Sequence, residues 1–298
     1  MNRVSVAGSL HLDIMVEAPR LPARDETLMG TAWGYKCGGK GGNQAVAAAR
    51  MGALTRMGGA VGDDDFGKRL TANLEEAGVD MSCVAVLAGQ GSGMSVAISE
   101  EGGEYGAVVV SGANLAIDPK GWDALWDCDV LLLQNEIPEA ANLAAARAAK
   151  AKGARVVLNA APARSMTPDL AALVDVLVVN RVEAEMLSGV PVTNRAEASH
   201  AARQLAARHR AVIVTLGSDG LVLMEQGAEP EPLPAVKIEA ISSHGAGDCF
   251  CGALAAELAA GRTIREAADF ARRAAALFVS TELAQQAMLR RNGVEKFL

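Results

Sequence analysis

From Asp129 onward, short apolar runs alternate with stretches of helical period. Val130–Leu133 reads as a strand and Pro138–Lys152 as a helix. Arg155–Leu158 is a strand, followed by a helix near Pro168–Leu173 and a strand at Val176–Val179. Helices near Val182–Leu187 and Arg195–Arg208 lead to strand Val212–Thr215. Strands this apolar, separated by helices, predict an α/β fold with a central, mostly parallel sheet covered by helices on both faces. Val4–Ala7 is a strand of the same kind, ended by Gly8-Ser9. Gly62-Asp63-Asp64-Asp65-Phe66 opens a helix to about Ala77, its acidic trio suited to capping. Helices are expected at 248–260 and 263–279 before a polar tail, and Pro230–Pro234 reads as a turn between strands.

Two regions fall outside this alternation. Leu10–Val16 is apolar except for His11 and Asp13, which a period of two places on one face. That pair is either the solvated side of an edge strand or a pair of ligand contacts at a strand's end. Residues 17–36 have mixed polarity and no helical period. Met94–Ile98 and Ala107–Val110 read as a hairpin with Glu-Glu-Gly-Gly between them.

Half of the 298 residues are apolar and only 3% aromatic, so Ala, Val and Leu must pack the layers. A formal charge of −7 argues against nucleic acid or an anionic membrane as partner. No apolar run reaches the ~20 residues of a membrane span, and Met1-Asn2-Arg3 leads straight into the first strand, so no export signal is expected. Five cysteines without a CxxC pair suggest neither a disulfide framework nor structural zinc, and a reducing cytoplasm is the expected setting.

The chemistry concentrates at polar strand ends and two glycine-rich stretches. Gln134-Asn135-Glu136, Asn159, Asn180 with Glu183, and Thr215-Leu216-Gly217-Ser218-Asp219-Gly220 all follow strands. In a parallel sheet these ends share one edge, where sites are built. Gly38-Gly39-Lys40-Gly41-Gly42-Asn43-Gln44 reads as a loop feeding a helix over Ala45–Met51. It fails as a Walker A loop because Gly41 replaces the Ser/Thr, and as a dinucleotide fingerprint because Gln44 stands where glycine is needed. Gly245-Ala246-Gly247-Asp248 precedes an Ala- and Leu-rich helix. Free amides at a helix N-terminus hold anions, and a carboxylate beside them can accept a hydroxyl proton, a combination suited to phosphoryl transfer. Asp248 also suits an ordinary helix cap.

Residues 38–50 and 245–248 resemble the two signatures of the ribokinase-like sugar kinases, the PfkB family. Val109–Asn114, Leu158–Ala163, Asn180–Glu185 and Thr215–Ser218 resemble segments of the same family in the same order. The resemblance spans essentially the whole chain. It implies one ribokinase-like domain over 1–298 with a small β-sheet lid from 11–36 and 93–110. The implied activity is ATP-dependent phosphorylation of a primary hydroxyl on a small sugar, ribose first. A deoxysugar, ketose, sugar acid or nucleoside is the alternative acceptor. A non-catalytic sugar sensor and a dinucleotide-dependent oxidoreductase are the rivals from other classes.

Carried over by position, Asp248 is the base and Gly245, Ala246 and Gly247 form the anion hole. Asp13, Gly39, Asn43 and Glu136 contact the sugar, with Lys40 neutralising phosphate charge. His11 stands where the family has a sugar-contacting asparagine. Asn180 and Glu183 place Mg²⁺ and phosphates. Thr215, Gly217, Ser218 and Gly220 form the nucleotide turn, with Asn180 and Gly247 beside it. Ser242 replaces an expected aspartate and Leu283 an expected glycine, so a K⁺ site near Ser242, His244 and Ala284 is doubtful. His244 reads as a satisfied loop histidine. A homodimer through the lid is expected.

Overall fold

The computed structural model describes residues 2–100 and 105–297; residues 101–103 of the expected hairpin turn lie outside them. The first half contains β1 (Arg3–Ala7), β2 (His11–Ala18), β3 (Ala32–Gly38), α1 (Lys40–Arg50), β4 (Leu54–Gly62) and α2 (Asp65–Glu76). Then come β5 (Asp80–Leu87), β6 (Gly93–Glu100), β7 (Tyr105–Val110) and β8 (Val130–Gln134). Helices and strands then alternate, with two helices in succession before the last strand: α3 (Glu139–Ala151), β9 (Arg155–Asn159), α4 (Pro168–Ala171), β10 (Val176–Asn180), α5 (Arg181–Ser188), α6 (Arg195–Leu205) and β11 (Ala211–Thr215). The chain closes with β12 (Leu221–Glu225), β13 (Glu231–Leu233), α7 (Ala246–Ala259), α8 (Ile264–Val279), α9 (Leu283–Gln286) and α10 (Arg291–Lys296).

The large sheet has nine strands in the order β13-β12-β11-β10-β9-β8-β1-β4-β5. Every pair from β11 to β5 is parallel, and β12 and β13 add antiparallel pairs at one edge. Two buried clusters lie on its two faces. One packs α1, α7 and α8 against Val4, Val6, Leu132, Val157 and Ile213. The other packs α3, α4 and α6 with Trp122 and Trp126 against Leu131, Leu133, Leu158 and Val214. From β1 the chain builds β4 and β5 on one side and then crosses to β8 on the other, so β1 is the topological switch point. In open α/β sheets such a point, beyond the strands' carboxyl ends, is where ligands bind.

A second sheet, β3-β2-β6-β7, stands apart. Its registers pair His11 with Gly38 and Gly93, and Asp13 with Lys36 and Ser95. Those residues share one face by the period of two. Ile14, Val16, Trp33, Tyr35, Val96, Val108 and Val110 share the other. That second face is apolar and partly open: Trp33 is 68% and Val108 69% exposed.

Four expectations change. Helix α1 begins at Lys40, so the glycine stretch is its first turn and not a preceding loop. A Cβ on Gly41 would lie 2.6 Å from Gly8 C and Ser9 N, so only glycine lets this turn sit on the end of β1. Pro230–Pro234 is not a plain turn: Glu231–Leu233 is the edge strand β13, where Pro232 needs no ladder donor. The polar tail folds into α9 and α10, with Val294 buried beneath. The helix expected to reach Arg208 stops at Leu205.

Candidate active site

The site builds up around β1. Its chain leaves the sheet at Ala7, crosses Gly8 and Ser9, and enters β2 at His11. Asn114 fixes that crossing: its Oδ1 accepts from Leu10 N at 2.9 Å and its Nδ2 donates to Leu10 O at 2.8 Å. Glu136, just beyond β8, accepts from Ser9 Oγ at 2.5 Å and from the Lys40 amide at 2.9 Å on one carboxylate oxygen. His11 Nδ1 lies 3.8 Å from that oxygen. Only 4% of His11 is exposed, and its Nε2 has no hydrogen-bond partner among the described residues. The solvated-edge reading therefore fails for His11. Burial lowers its pKa despite the Glu136 and Asp13 carboxylates, which leaves the ring neutral around pH 7. Asp13 accepts from Ser95 Oγ at 2.5 Å.

Helix α7 brings in Asp248 from the other side. Gly245, at φ 85°, is its N-cap, and no side chain caps the helix. Asp248 is thus not the cap. Its Oδ2 accepts from Asn43 Nδ2 at 3.0 Å and its Oδ1 from Gln44 Nε2 at 2.9 Å. Among the described residues the amides of Gly247 and Asp248 have no backbone acceptor, while Ala246 N reaches Ser243 O at 3.3 Å. Free amides and a carboxylate share one helix end, the arrangement of an anion cradle beside a base. Burial raises the Asp248 pKa, opposed by Lys40 and by the amides of Gln44 and Asn43. Lys40 moves up too: burial disfavours its cation, but Asp248, Glu136 and Glu183 together outweigh it. Lys40 therefore stays charged between three carboxylates. Gly39 supports this turn from its positive φ of 82°.

Along the same edge, Asn180 and Glu183 close a capping box on α5. Glu183 Oε2 accepts from Asn180 N at 2.9 Å and Oε1 from Asn180 Nδ2 at 3.0 Å. Glu183 is buried, which raises its pKa against the Asn180 N–H and Lys40. Both oxygens are engaged, and among the described residues no three His, Cys, Asp or Glu side chains gather as a metal set. The pair accordingly fits Mg²⁺ through the ion's own waters, the way Mg²⁺ usually keeps them beside substrate phosphates. Thr215 Oγ1 donates to Val179 O at 3.3 Å. The turn after it holds Gly217 at φ 59° and Gly220 at φ 92°, with Ser218 exposed between them. Arg181 pins the turn through Leu216 O at 3.2 Å and the Asp219 carboxylate, and Arg195 through Asp219 O at 2.9 Å.

The K⁺ candidates do not converge in the same way. Ser242 is exposed, and among the described residues its Oγ accepts only from His244 N, at 3.3 Å. Leu283 starts α9 instead of a carbonyl-presenting turn. Ala284 lies within that helix. Gln286 Nε2 already donates to Phe278 O at 3.1 Å and Thr281 O at 3.3 Å. His244 is no satisfied loop histidine: its ring is exposed and without a hydrogen bond among the described residues. What burial it has, and then the Lys36 cation, lower its pKa. It therefore does not supply a standing positive charge at neutral pH.

Sequence reasoning left out Ser9, Ser95, Lys36 and Gln44. Lys36 lies across from Asp13 on β3, partly buried, its pKa lowered by burial against Asp13 and Asp248. Its place on the His11–Asp13 face follows from strand register, which needs the pairing partner to be known. Cys249 and Cys251 are buried core thiols, and burial pushes Cys249 up to about 12.

A model of the pfkB family carbohydrate kinases matches residues 1–291. The chain is 34% identical to the ribokinase of Bacillus subtilis (strain 168) over 302 residues, covering 100% of both chains. It is 33% identical to the deoxyribokinase of Salmonella typhimurium over 258 residues, 85% of this chain and 84% of that one. Among solved structures, it resembles Arabidopsis thaliana ribokinase complexed with ribose and ATP, with a TM-score of 0.93 and 30% identity. That match covers 99% of this chain and 98% of the other.

Proposed function

The chain belongs to the pfkB family of carbohydrate kinases, and on that premise we propose an ATP-dependent sugar kinase with ribose as first acceptor and the following division of labour. The observation that carries it is Asp248, held by two side-chain amides at a helix end where the Gly247 and Asp248 amides have no backbone acceptor among the described residues. Asp248 takes the proton of the primary hydroxyl, and the acceptor oxygen attacks the γ-phosphorus in line as its bond to the β–γ bridging oxygen breaks and ADP leaves. The N–H groups over Gly245, Ala246 and Gly247 receive the charge on the transferring phosphoryl group. His11, Asp13, Gly39, Lys40, Asn43 and Glu136 hold the sugar around the end of β1. Thr215, Gly217, Ser218 and Gly220 hold the nucleotide with Asn180 and Gly247. Mg²⁺ would sit by Asn180 and Glu183 through water, where it neutralises phosphate charge.

The whole chain works as one domain, and the small sheet, segments 11–36 and 93–110, acts as its lid. Its apolar outer face supports a homodimer through the lid. Five unpaired cysteines favour a reducing cytoplasm. The carbonyls already taken by Gln286 favour an enzyme without K⁺ activation.

ADP release measured over a panel of sugars and nucleosides tests the reading. Small sugars are expected to drive release and nucleosides not, and Asp248→Asn to lose ~10²–10⁴-fold in kcat with both substrates still bound. ADP release with nucleosides alone, or near-parental turnover by Asp248→Asn, would remove it.

A further inference from the structure

Gln44 is completely buried and stands in an Ala-rich helix, where no packing reason calls for an amide. Its Nε2 lies between two acceptors, Asp248 Oδ1 at 2.9 Å and Asn159 Oδ1 at 3.1 Å. Its Oε1 accepts from Gln134 Nε2 at 2.8 Å. These partners set the orientation: a flipped amide would aim its oxygen at two acceptor oxygens and its NH₂ at a donor. Gln134 is itself buried at the end of β8, next to Asn142, whose Nδ2 donates to Gln134 O at 2.7 Å. Asn159 ends β9 and reaches Val178 O. A chain of buried amides thus runs from the sheet's carboxyl edge through α1 to one oxygen of the carboxylate on α7.

We propose that Gln44 is a positioning residue for phosphoryl transfer: it clamps Asp248 Oδ1 and leaves Oδ2 to face the acceptor hydroxyl. The proposal rests on Asp248 being the base. The other oxygen carries a weaker claim on its present partner, because Asn43 is only partly buried and lies on the acceptor side. When the sugar engages Asn43, Oδ2 is released to accept the proton. Oδ1 stays tied, because Gln44 is also held by Asn159 at its NH₂ and by Gln134 at its oxygen, both buried. The clamp also favours the ionised carboxylate, since a donor to a buried charge offsets part of its desolvation.

The test uses Gln44→Met, which keeps volume without hydrogen bonding, and Gln44→Glu, which keeps shape. For Gln44→Met, kcat is expected to fall about 10–100-fold. KM for sugar and ATP should change little, and the acid limb of the pH–rate profile should move to higher pH. Gln44→Glu must stay protonated between its two acceptors, so one of the two donated bonds survives and the loss is smaller at low pH than at high pH. A kcat loss with an unmoved acid limb in both variants, or a loss that tracks the melting temperature, would make Gln44 a packing residue and overturn the proposal. Should Gln44→Met fail to fold, the pH dependence of Gln44→Glu decides alone. Failure of the premise is separately visible: Asp248→Asn would then turn over at the parental rate, and the clamp would have no base to hold.

Discussion

His11 Nδ1 lies 3.8 Å from the Glu136 oxygen that also accepts from Ser9 and from the Lys40 amide. An imidazole thus fills the space at the switch point where the family resemblance implies an asparagine. A Cβ on Gly93 would lie 2.5 Å from His11 Cδ2, so the second sheet is moulded to this ring. A site that recognises particular hydroxyls discriminates strongly against molecules that mismatch its polar groups. His11→Asn is therefore expected to move acceptor preference toward ribose, read as the ratio of kcat/KM for ribose to that for the other sugars. An unchanged ratio, with ribose already leading, would make His11 a bystander.

Glu183 yields a prediction in which stability and activity part. Burial raises its pKa, so its stabilising contribution is present at low pH and is lost as pH rises through the folded value. Glutamine can still accept in a capping box without the charge. Glu183→Gln is expected to melt no lower than the parent at pH 8, yet to need more Mg²⁺ for half-maximal rate. Unchanged Mg²⁺ dependence would remove Glu183 from the phosphate site.

The apolar outer face of the small sheet predicts assembly. Trp33, Tyr35, Val108 and Val110 are exposed on strands that bury only part of that face against α2. Such patches are seldom left open to water. Light scattering is expected to report a dimer at micromolar concentration, and Val108→Lys to shift it toward monomer with reduced activity. A fully active monomer of the parent chain would refute this.

Potassium should matter little. Ser242 offers a neutral, exposed hydroxyl, and α9 turns the neighbouring chain into helix. Rates in sodium and in potassium buffers of equal ionic strength should agree. An increase of roughly tenfold with potassium, ~1.4 kcal/mol of barrier, would show a working site.

The regular half of the fold was legible because its strands are continuous branched runs between helices of clear period. β4 was not, since Gly58, Gly59 and Gly62 interrupt it; Gly58 is needed because a Cβ would meet Leu125 Cδ2 at 2.7 Å. β13 hid behind its prolines, which an edge position permits. In the site, Asp248 and the strand-end residues stood out as polar groups in apolar surroundings. Ser9, Ser95 and Gln44 did not. Each acts on a neighbouring side chain across the fold, and such pairings carry no local signal. Gln44 even read as a mismatch, a residue occupying a glycine's place in a motif the chain does not use.

Gly252 lies one turn below Asp248 on α7, where a Cβ would come within 2.5 Å of Ala47 Cβ and 2.6 Å of Gln44 O. The two helices that carry the base and its clamp therefore meet backbone to backbone, and their separation is gauged by the absence of one methyl group. The chain's intolerance to change is then not a map of what lies near the ligand. A single added carbon at a position no substrate touches would prise apart two groups that must stay within hydrogen-bond reach. Random substitution should find its most damaging small replacements along this helix seam, where even alanine is too large.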